Sequence, residues 1–386
     1  MVYDVVVVGS GPSGGMAAYE AAKSGLSVAI LEKEMLPRYK TCGGGLVFRG
    51  RKMLPFDLSS VIEKEFFEVS VYFDHSNGPM TSRRNQPIVT MVMRDKLDKL
   101  IIDHALLEGA VLLENHTLRE LSFDVKTIHL QTSQEIIKAK YVIAADGALS
   151  PTAKMAGWKE TRRMMPALEY EVEVSPADFE RLGSEARFDI DAIPKGYGYC
   201  FPKKKHLSIG VGTYQKDKIN MRQYYRAYLE KLGIQEVISE DAHGFQVPVG
   251  IRTDGLVRNN IFLTGDAAGF ADPLTVEGIS NAIYSGTLAG RTIAANFGNP
   301  KLAESQYLKA LEKKLLPELK FSNMVAGFFY NQKTLRNYLI SKNGQRFCET
   351  VTDVFMGKKE YSADMKSRVM KKFGLSFMIK ESSPII

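Results

Sequence analysis

Gly9, Gly11 and Gly14 stand in VVVVGSGPSGG at G-x-G-x-x-G spacing. That spacing suits a tight turn whose backbone approaches a pyrophosphate, followed by a helix packed closely on a strand. Glu32 follows at about the twenty-residue separation at which an acid accepts hydrogen bonds from ribose hydroxyls. Two later segments also put small residues and a carboxylate after an apolar run: VIAADGALS, with Asp146 and Gly147, and IFLTGDAAGFADPLTVEGI, with Gly265 and Asp266. An Asp-Gly at a strand end, taken alone, reads as a simple turn. In the third segment Ala267, Ala268 and Gly269 are too small to block approach, so Asp266 suits hydrogen bonding to a ribityl chain. In this order, the three segments are expected to lie along one dinucleotide, FAD, and the chain is expected to move electrons.

The positioning elements follow from the patterning. Val5 to Val8 is a β-branched run typical of a buried parallel strand. Pro12 falls in a first helical turn, where its missing N–H has no intrahelical partner to lose. The helix continues through Ala17, Ala18, Ala21 and Ala22 to a stop at Gly25, and a second strand from Ser27 to Leu31 ends at Glu32. The helix N-terminus offers partial positive charge to a pyrophosphate. Beyond Pro273, a turn to Gly278 leads into an Ala- and Gly-rich helix through Gly290. Its N-terminus would aim N–H groups at the flavin edge and stabilise the reduced anion. Phe67 to Thr90 reads as a hairpin around Ser76-Asn77-Gly78-Pro79, joining strands between Ala167 and Val249 in an antiparallel sheet over the flavin. Tyr197, Tyr199 and Phe201 alternate, so one face of their strand carries three rings. Those rings line an apolar tunnel or serve as ordinary core.

With these segments in view, the chain resembles the p-hydroxybenzoate hydroxylase-like flavoproteins. Two further motifs make it similar to their geranylgeranyl reductase branch: PRYKTCGGG, Pro37 to Gly45, and YGYCFPKKKHLSIGVG, Tyr197 to Gly212. DGALSPTAKMAG, with Ala-Lys after the serine, is also more like the reductases than the hydroxylases. VMRDKLDKLIIDHALLEGA resembles the family's R-x-x-L-D-x-x-L helix, and the resemblance places its arginine, Arg94, near the flavin. The implied fold is α/β: a Rossmann-type FAD-binding domain of the p-hydroxybenzoate hydroxylase/glutathione reductase type, an antiparallel β-sheet substrate domain and a C-terminal helical region. Residues 1–52, 94–165 and 250–300 are assigned to the first, 53–93 and 166–249 to the second, and 301–386 to the third. Implied cofactor contacts are Gly9, Gly11, Ser13, Gly14, Glu32, Lys33, Cys42, Gly43, Arg94, Asp146, Gly147, Gly265, Asp266, Val276, Gly278 and Ile279. The implied catalytic set is Cys42, Gly43, Gly44, Tyr197, Tyr199 and Phe201. Two departures stand out. Tyr199 replaces the motif tryptophan, and Val276 replaces a glycine of Thr-Gly-Glu-Gly. Because a β-branched residue disfavours positive φ, the turn at Val276 is expected to differ.

The resemblance implies reduction of C=C bonds in an isoprenoid chain, on an isoprenoid lipid or a prenyl diphosphate. An isolated alkene accepts hydride poorly, so a proton donor and a dry cavity are required. Cys42, beside Gly43, Gly44 and Gly45, reads as a thiol that gates the site, donates a proton or shapes the pocket, or else as a small buried apolar residue. Lys203 either pairs with a diphosphate or phospholipid head group or, with Lys204 and Lys205, forms a solvated turn. The expected electron donor is NADPH, NADH or reduced ferredoxin. The competing readings are a flavin monooxygenase with the same dinucleotide segments and a prenyl carrier without redox work.

Composition fits this frame. The chain has 386 residues and three cysteines, Cys42, Cys200 and Cys348, without C-x-x-C spacing, so neither a zinc nor an iron–sulfur site is expected and a reducing cytoplasm is. No span reaches the roughly 18 uncharged apolar residues of a membrane helix. A strand beginning at Tyr3 is expected to leave no signal peptide. Net charge is +7, yet from Lys301 to Ile386 there are 16 Lys and Arg against 8 Asp and Glu, so the excess lies in that tail. With the apolar stretches Met324 to Tyr330 and Phe373 to Ile379, beside Lys371 and Lys372, the tail reads either as a helical cap on the FAD domain or as a peripheral membrane contact. No nucleic-acid module is recognisable. Oligomeric state is left open.

Overall fold

The computed structural model describes residues 2–73 and 78–361. Its first sheet is built on Val2–Val8, which pairs in parallel with Val28–Leu31 on one side and with Ile136–Ala144 on the other. Val111–Leu113 extends it beyond Val28–Leu31, and Ile261–Leu263 then Val257–Arg258 extend it beyond Ile136–Ala144. Val5, Val6 and Val7 are fully buried, as the continuous β-branched run requires. The helix Pro12–Lys23 ends just before Gly25, whose φ is +86°.

The helix Ile279–Ala295 runs five residues past Gly290, which was expected to end it. Gly286 and Gly290 serve close packing instead. A Cβ on Gly286 would stand 2.0 Å from the Ser13 carbonyl oxygen, and one on Gly290 would stand 2.5 Å from that of Ala17. The late helix therefore lies backbone to backbone on the helix that opens at the phosphate-turn motif.

The second sheet has the order Val237–Pro248, Met164–Val174, Leu207–Thr213, Gly196–Pro202, Ala186–Ile190, Glu68–Phe73, Met80–Arg83. The expected hairpin is present as Glu68–Phe73 with Met80–Arg83, although Ser76 and Asn77 of its turn lie outside the described residues. The sheet is not wholly antiparallel, because Ala186–Ile190 pairs with Glu68–Phe73 in parallel. A parallel pair needs a long crossover, and here the connection passes through the first sheet. Val89–Val92, expected within the hairpin, pairs instead with Gly45–Val47 and Ile62–Phe66 in a small third sheet that spans the expected boundary at residue 52.

Two helices, Pro300–Asn331 and Lys333–Phe355, complete the described chain. The first packs on Ile279–Ala295, but its later part turns to the second sheet: Phe329 meets Phe73 with centroids 6.2 Å apart, and Tyr330 meets Tyr214 at 4.7 Å. Ala326, Phe329 and Tyr330 are buried while Met324 is exposed, so the stretch from Met324 to Tyr330 turns one side to the core. Phe373 to Ile379, Lys371 and Lys372 lie outside the described residues. Among the described residues no helix is long and apolar enough to cross a membrane.

The backbone contact at Gly286 predicts that Gly286→Ala is destabilised by about 1–3 kcal/mol or more. Chemical denaturation would measure this, and a loss below a few tenths would mean that the two helices are free to separate.

Candidate active site

The three glycine-containing segments meet at the ends of the first sheet. A Cβ on Gly9, where φ is +104°, would stand 2.5 Å from the Ala145 carbonyl oxygen and 3.0 Å from Asp146 Cα, so the first turn rests on the second. A Cβ on Gly14 would stand 1.9 Å from Gly9 O, the close turn–helix packing that the third glycine permits. Gly265, at φ +52°, lies against Ser13, which brings the third segment to the same helix start. Ser13 Oγ is buried and has no hydrogen-bond partner among the described residues. Such an orphaned hydroxyl at a helix N-terminus, beside glycines open to close approach, fits a phosphate-bearing group.

Around this turn, Glu32 is buried and accepts hydrogen bonds from the Ser10 amide at 3.2 Å and from Ser10 Oγ. Arg38 links Glu32, at 3.4 Å, to Asp98, at 3.0 Å, and Asp98 holds Arg94 through bonds of 2.8 and 2.9 Å. Burial works against the Arg94 charge, yet the Asp98 carboxylate holds its pKa above the ordinary value. Arg94 Nη2 lies 3.7 Å from where a Gly11 Cβ would be and also contacts Cys42. Arg38 and Asp98 were not singled out from sequence, although both sit inside the quoted motifs. Lys33 is exposed and pairs with Glu34, outside this network.

The other two carboxylates divide their work differently. Asp146 accepts from Ser150 Oγ at 2.7 Å and from the Thr152 amide at 2.8 Å, capping the short helix Pro151–Met155; burial raises its pKa. Gly147 beside it has φ +78°. Asp266 stands 3.6 Å from the Cβ position of Gly278, at the start of the helix that opens with Ile279. Between them lies the corrected turn. Val276 has φ +58°, so the glycine-like conformation is retained with a valine in it. A β-branched residue there is strained by about 1–3 kcal/mol. The surrounding bonds impose it: Val276 N donates to Asp272 O at 2.8 Å, Asp272 N donates to Glu277 O at 2.8 Å, and Asp272 Oδ1 accepts from Leu274, Thr275 and Ser322. Glu277 is fixed in turn by Arg49 at 3.0 Å and by the Ser280 amide at 2.6 Å.

The Cys42–Gly45 loop lies between the two large sheets. A Cβ on Gly43 would stand 2.8 Å from Tyr199 Cε2 and 3.0 Å from Phe201 Cδ2. Gly44, at φ +67°, would collide with Val92 O at 1.9 Å. Lys203 is fully buried and donates to Gly43 O at 2.6 Å and to Val92 O at 3.2 Å; burial lowers its pKa. It is therefore neither exposed to a head group nor part of a solvated turn, and only Lys204 and Lys205 remain exposed. Tyr197, Tyr199 and Phe201 share a face as expected, with neighbouring centroids 6.5 and 4.6 Å apart. They part in role: Tyr199 and Phe201 cover the glycine loop, and Tyr197 alone of the three lines an apolar cavity.

That cavity, about 80 Å³, has walls from the second sheet (Val71, Phe188, Tyr197) and from the C-terminal helices (Phe329, Phe347, Val351), with Leu274 and Thr275 at one side. The contribution of Lys333–Phe355 was not foreseen; its signal is the apolar spacing of Phe347, Val351 and Phe355. Also unforeseen is Glu169, on Met164–Val174. It is 2 % exposed, accepts from the Cys42 amide, and its Oε1 has no hydrogen-bond partner among the described residues. Burial, then the Glu171 charge, pushes its pKa up to about 8.

Comparison with known proteins gives four likenesses. Residues 2–300 match the FAD binding domain family. The chain is 30% identical over 310 residues to the digeranylgeranylglycerophospholipid reductase of Methanocaldococcus jannaschii, covering 75% of this chain and 76% of that one. It is 26% identical over 385 residues to the chloroplastic geranylgeranyl diphosphate reductase of Nicotiana tabacum, covering 92% and 81%. In fold it is similar to a Thermoplasma acidophilum protein described as geranylgeranyl bacteriochlorophyll reductase-like, with TM-score 0.79, 23% identity and 97% and 98% of the two chains covered. The FAD binding domain fits the orphaned Ser13 hydroxyl and the open glycine turn.

Because the Glu169 pKa is raised above its unfolded value of 4.5, its stabilising contribution is complete below that pH and lost as pH rises through about 8. Glu169→Gln, which stays neutral, should gain stability relative to the parent between about pH 5 and about pH 9 by at least about 1 kcal/mol. Thermal unfolding across that range checks it; a difference that stays constant with pH would mean that Glu169 is already ionised.

Proposed function

The chain belongs to the geranylgeranyl reductase family of FAD-binding oxidoreductases, and from that premise we propose that it saturates C=C bonds of a geranylgeranyl-type chain on a lipid-like substrate. The carrying observation is the apolar cavity between the second sheet and the C-terminal helices, which ends at Tyr197 and Thr275, one residue from the strained turn at Val276. A prenyl chain is flexible and uncharged, and burying it needs such walls rather than polar contacts.

When bound, FAD supplies the hydride. The chain's own residues divide the remaining work. Gly9, Gly11, Ser13 and Gly14 would receive the pyrophosphate at the helix N-terminus, and Glu32 and the Lys33 backbone the adenosine ribose. Arg94 and Asp266 would hold the stretch that follows, with Asp146 and Gly147 shaping the turn behind them. Cys42, Gly43 and Gly44, and across from them Val276, Gly278 and Ile279, would hold the ring. Tyr197, Tyr199 and Phe201 would keep water from it, and Cys42 bears the thiol closest in sequence to that glycine run.

In the test, protein reduced with dithionite under nitrogen is incubated with geranylgeranyl diphosphate or an unsaturated archaeal-type phospholipid. Mass shifts of two hydrogens per saturated bond are expected. Cys42→Ala should keep its yellow FAD and lose at least about tenfold in rate. Oxygen-dependent mass gain, or a protein that binds no flavin, would overturn the reading.

A peripheral membrane contact is supported by Leu335 and Tyr338, 50% and 55% exposed, which share a helix face with Lys342. Exchanging Leu335 and Tyr338 for Glu should release the protein from anionic liposomes in a flotation assay; unchanged flotation rules this face out.

A further inference from the structure

Resting on the reductase reading, we propose that Glu169 is the proton reserve of the site and that the Tyr199 hydroxyl carries its proton to the alkene. Four placements support this. Glu169 sits opposite Gly210 in the register of Met164–Val174 with Leu207–Thr213, and Gly210 is in turn opposite Tyr199. With no side chain on Gly210, the Tyr199 ring lies across its backbone: a Cβ there would be 2.5 Å from the phenol oxygen. The other edge of the same ring rests on Gly43, next to Cys42. The Glu169 carboxyl accepts from the Cys42 amide, while its Oε1 finds no partner among the described residues although the residue is nine-tenths buried. The Glu169 carboxyl and the Tyr199 phenol thus flank Gly210 from its two neighbouring strands, with the Cys42 amide on the carboxyl, where a chain with tryptophan in place of Tyr199 would have no hydroxyl.

Burial, and after it the Glu171 charge, favours a neutral Glu169 against the opposing charges of Lys203 and Lys40. Glu171, two residues along the same strand, faces the same side, and its carboxylate repels a second charge. From the glycine loop come Tyr39, Lys40 and Cys42, and from the neighbouring strands Tyr199, Lys203 and His243 with its partner Asp241. Lys203 is committed to Gly43 O and Val92 O, and Lys40 lies over the Phe245 ring at 3.9 Å. Neither cation is a hydrogen-bond partner of the free Glu169 oxygen.

The balance is simple. The Glu169 O–H bond breaks as the Tyr199 hydroxyl passes a proton on, and a C–H bond forms at one alkene carbon. The hydride that forms the second C–H bond comes from reduced flavin, which is left oxidised. The Glu169 carboxylate regains a proton from solvent before the next turnover.

Glu169→Gln and Tyr199→Phe test this in the FAD-bound protein reduced with dithionite, with geranylgeranyl diphosphate as probe. Each should keep the flavin spectrum and lose on the order of 10²-fold in saturation rate. Their combination should be no slower than either alone. The parent's rate should fall above neutral pH, and that fall should vanish in Glu169→Gln. Infrared spectroscopy should show a protonated carboxyl band in the parent at neutral pH that is absent from Glu169→Gln. An active parent without that band, or a Glu169→Gln variant within twofold of the parent and with the same pH profile, overturns the proposal alone. A parent that binds FAD but saturates nothing overturns the reductase reading, and this proposal with it.

Discussion

The Lys203 ammonium, buried and bound to Gly43 O and Val92 O, is the tie on which the site depends. It comes from the end of Gly196–Pro202 in the second sheet and grips two backbone carbonyls at the start of the chain. Removing an ammonium from water is unfavourable unless its donors are used, so this lysine is stable in place only while the loop stays closed on the sheet. The three glycines from Gly43 to Gly45 then make sense together: any side chain at the first two would meet rings or a carbonyl. A loop stripped of side chains and fastened from behind ties two separate sheets together at the proposed flavin site.

The opposite wall is fixed by a different device. At Val276 the backbone keeps a left-handed conformation that valine disfavours, and Asp272 enforces it. Asp272 gathers Leu274, Thr275 and Ser322 on one carboxylate oxygen, and burial raises its pKa. Ser322 belongs to Pro300–Asn331, so the helix that walls the apolar cavity also holds the turn proposed to face the cofactor. Cavity and turn are therefore mechanically joined. A valine in place of glycine adds branched carbon to a wall already shared with Tyr197 and Tyr214, which narrows the space on that side.

Much of this was legible in the residues. The glycine spacings, Glu32 and the carboxylate of Gly265-Asp266 announce themselves because backbone turns and phosphate approach allow few residue types. Arg94, singled out by its motif, stands against the first glycine turn, 3.7 Å from the Gly11 Cβ position. What stayed hidden depends on cross-strand register and on helix packing. Lys203 looked like one of three turn lysines, and nothing local says that only the first is buried. The C-terminal helices carry an ordinary apolar stripe, which reads equally as a cap on either sheet. Val276 was misjudged because local preference was weighed without the Asp272 network that overrides it.

Glu169 and Glu171 show the same limit in its sharpest form, since sequence displays only two alternating acids in one strand. Burial disfavours charge on both, but Glu171 accepts from Ser208 and has His206 Nε2 2.9 Å away, and these neighbours hold its pKa below the ordinary value. Glu169 receives the Cys42 amide and leaves one oxygen bare. Two like groups on one face whose surroundings drive their protonation apart form the pattern by which an acid is kept ready beside a base that stays charged. The charge on Glu171 is itself part of what keeps the proton on Glu169. The two carboxyls of the strand therefore have unequal company, with His206 and Ser208 beside Glu171 and a bare Gly210 opposite Glu169.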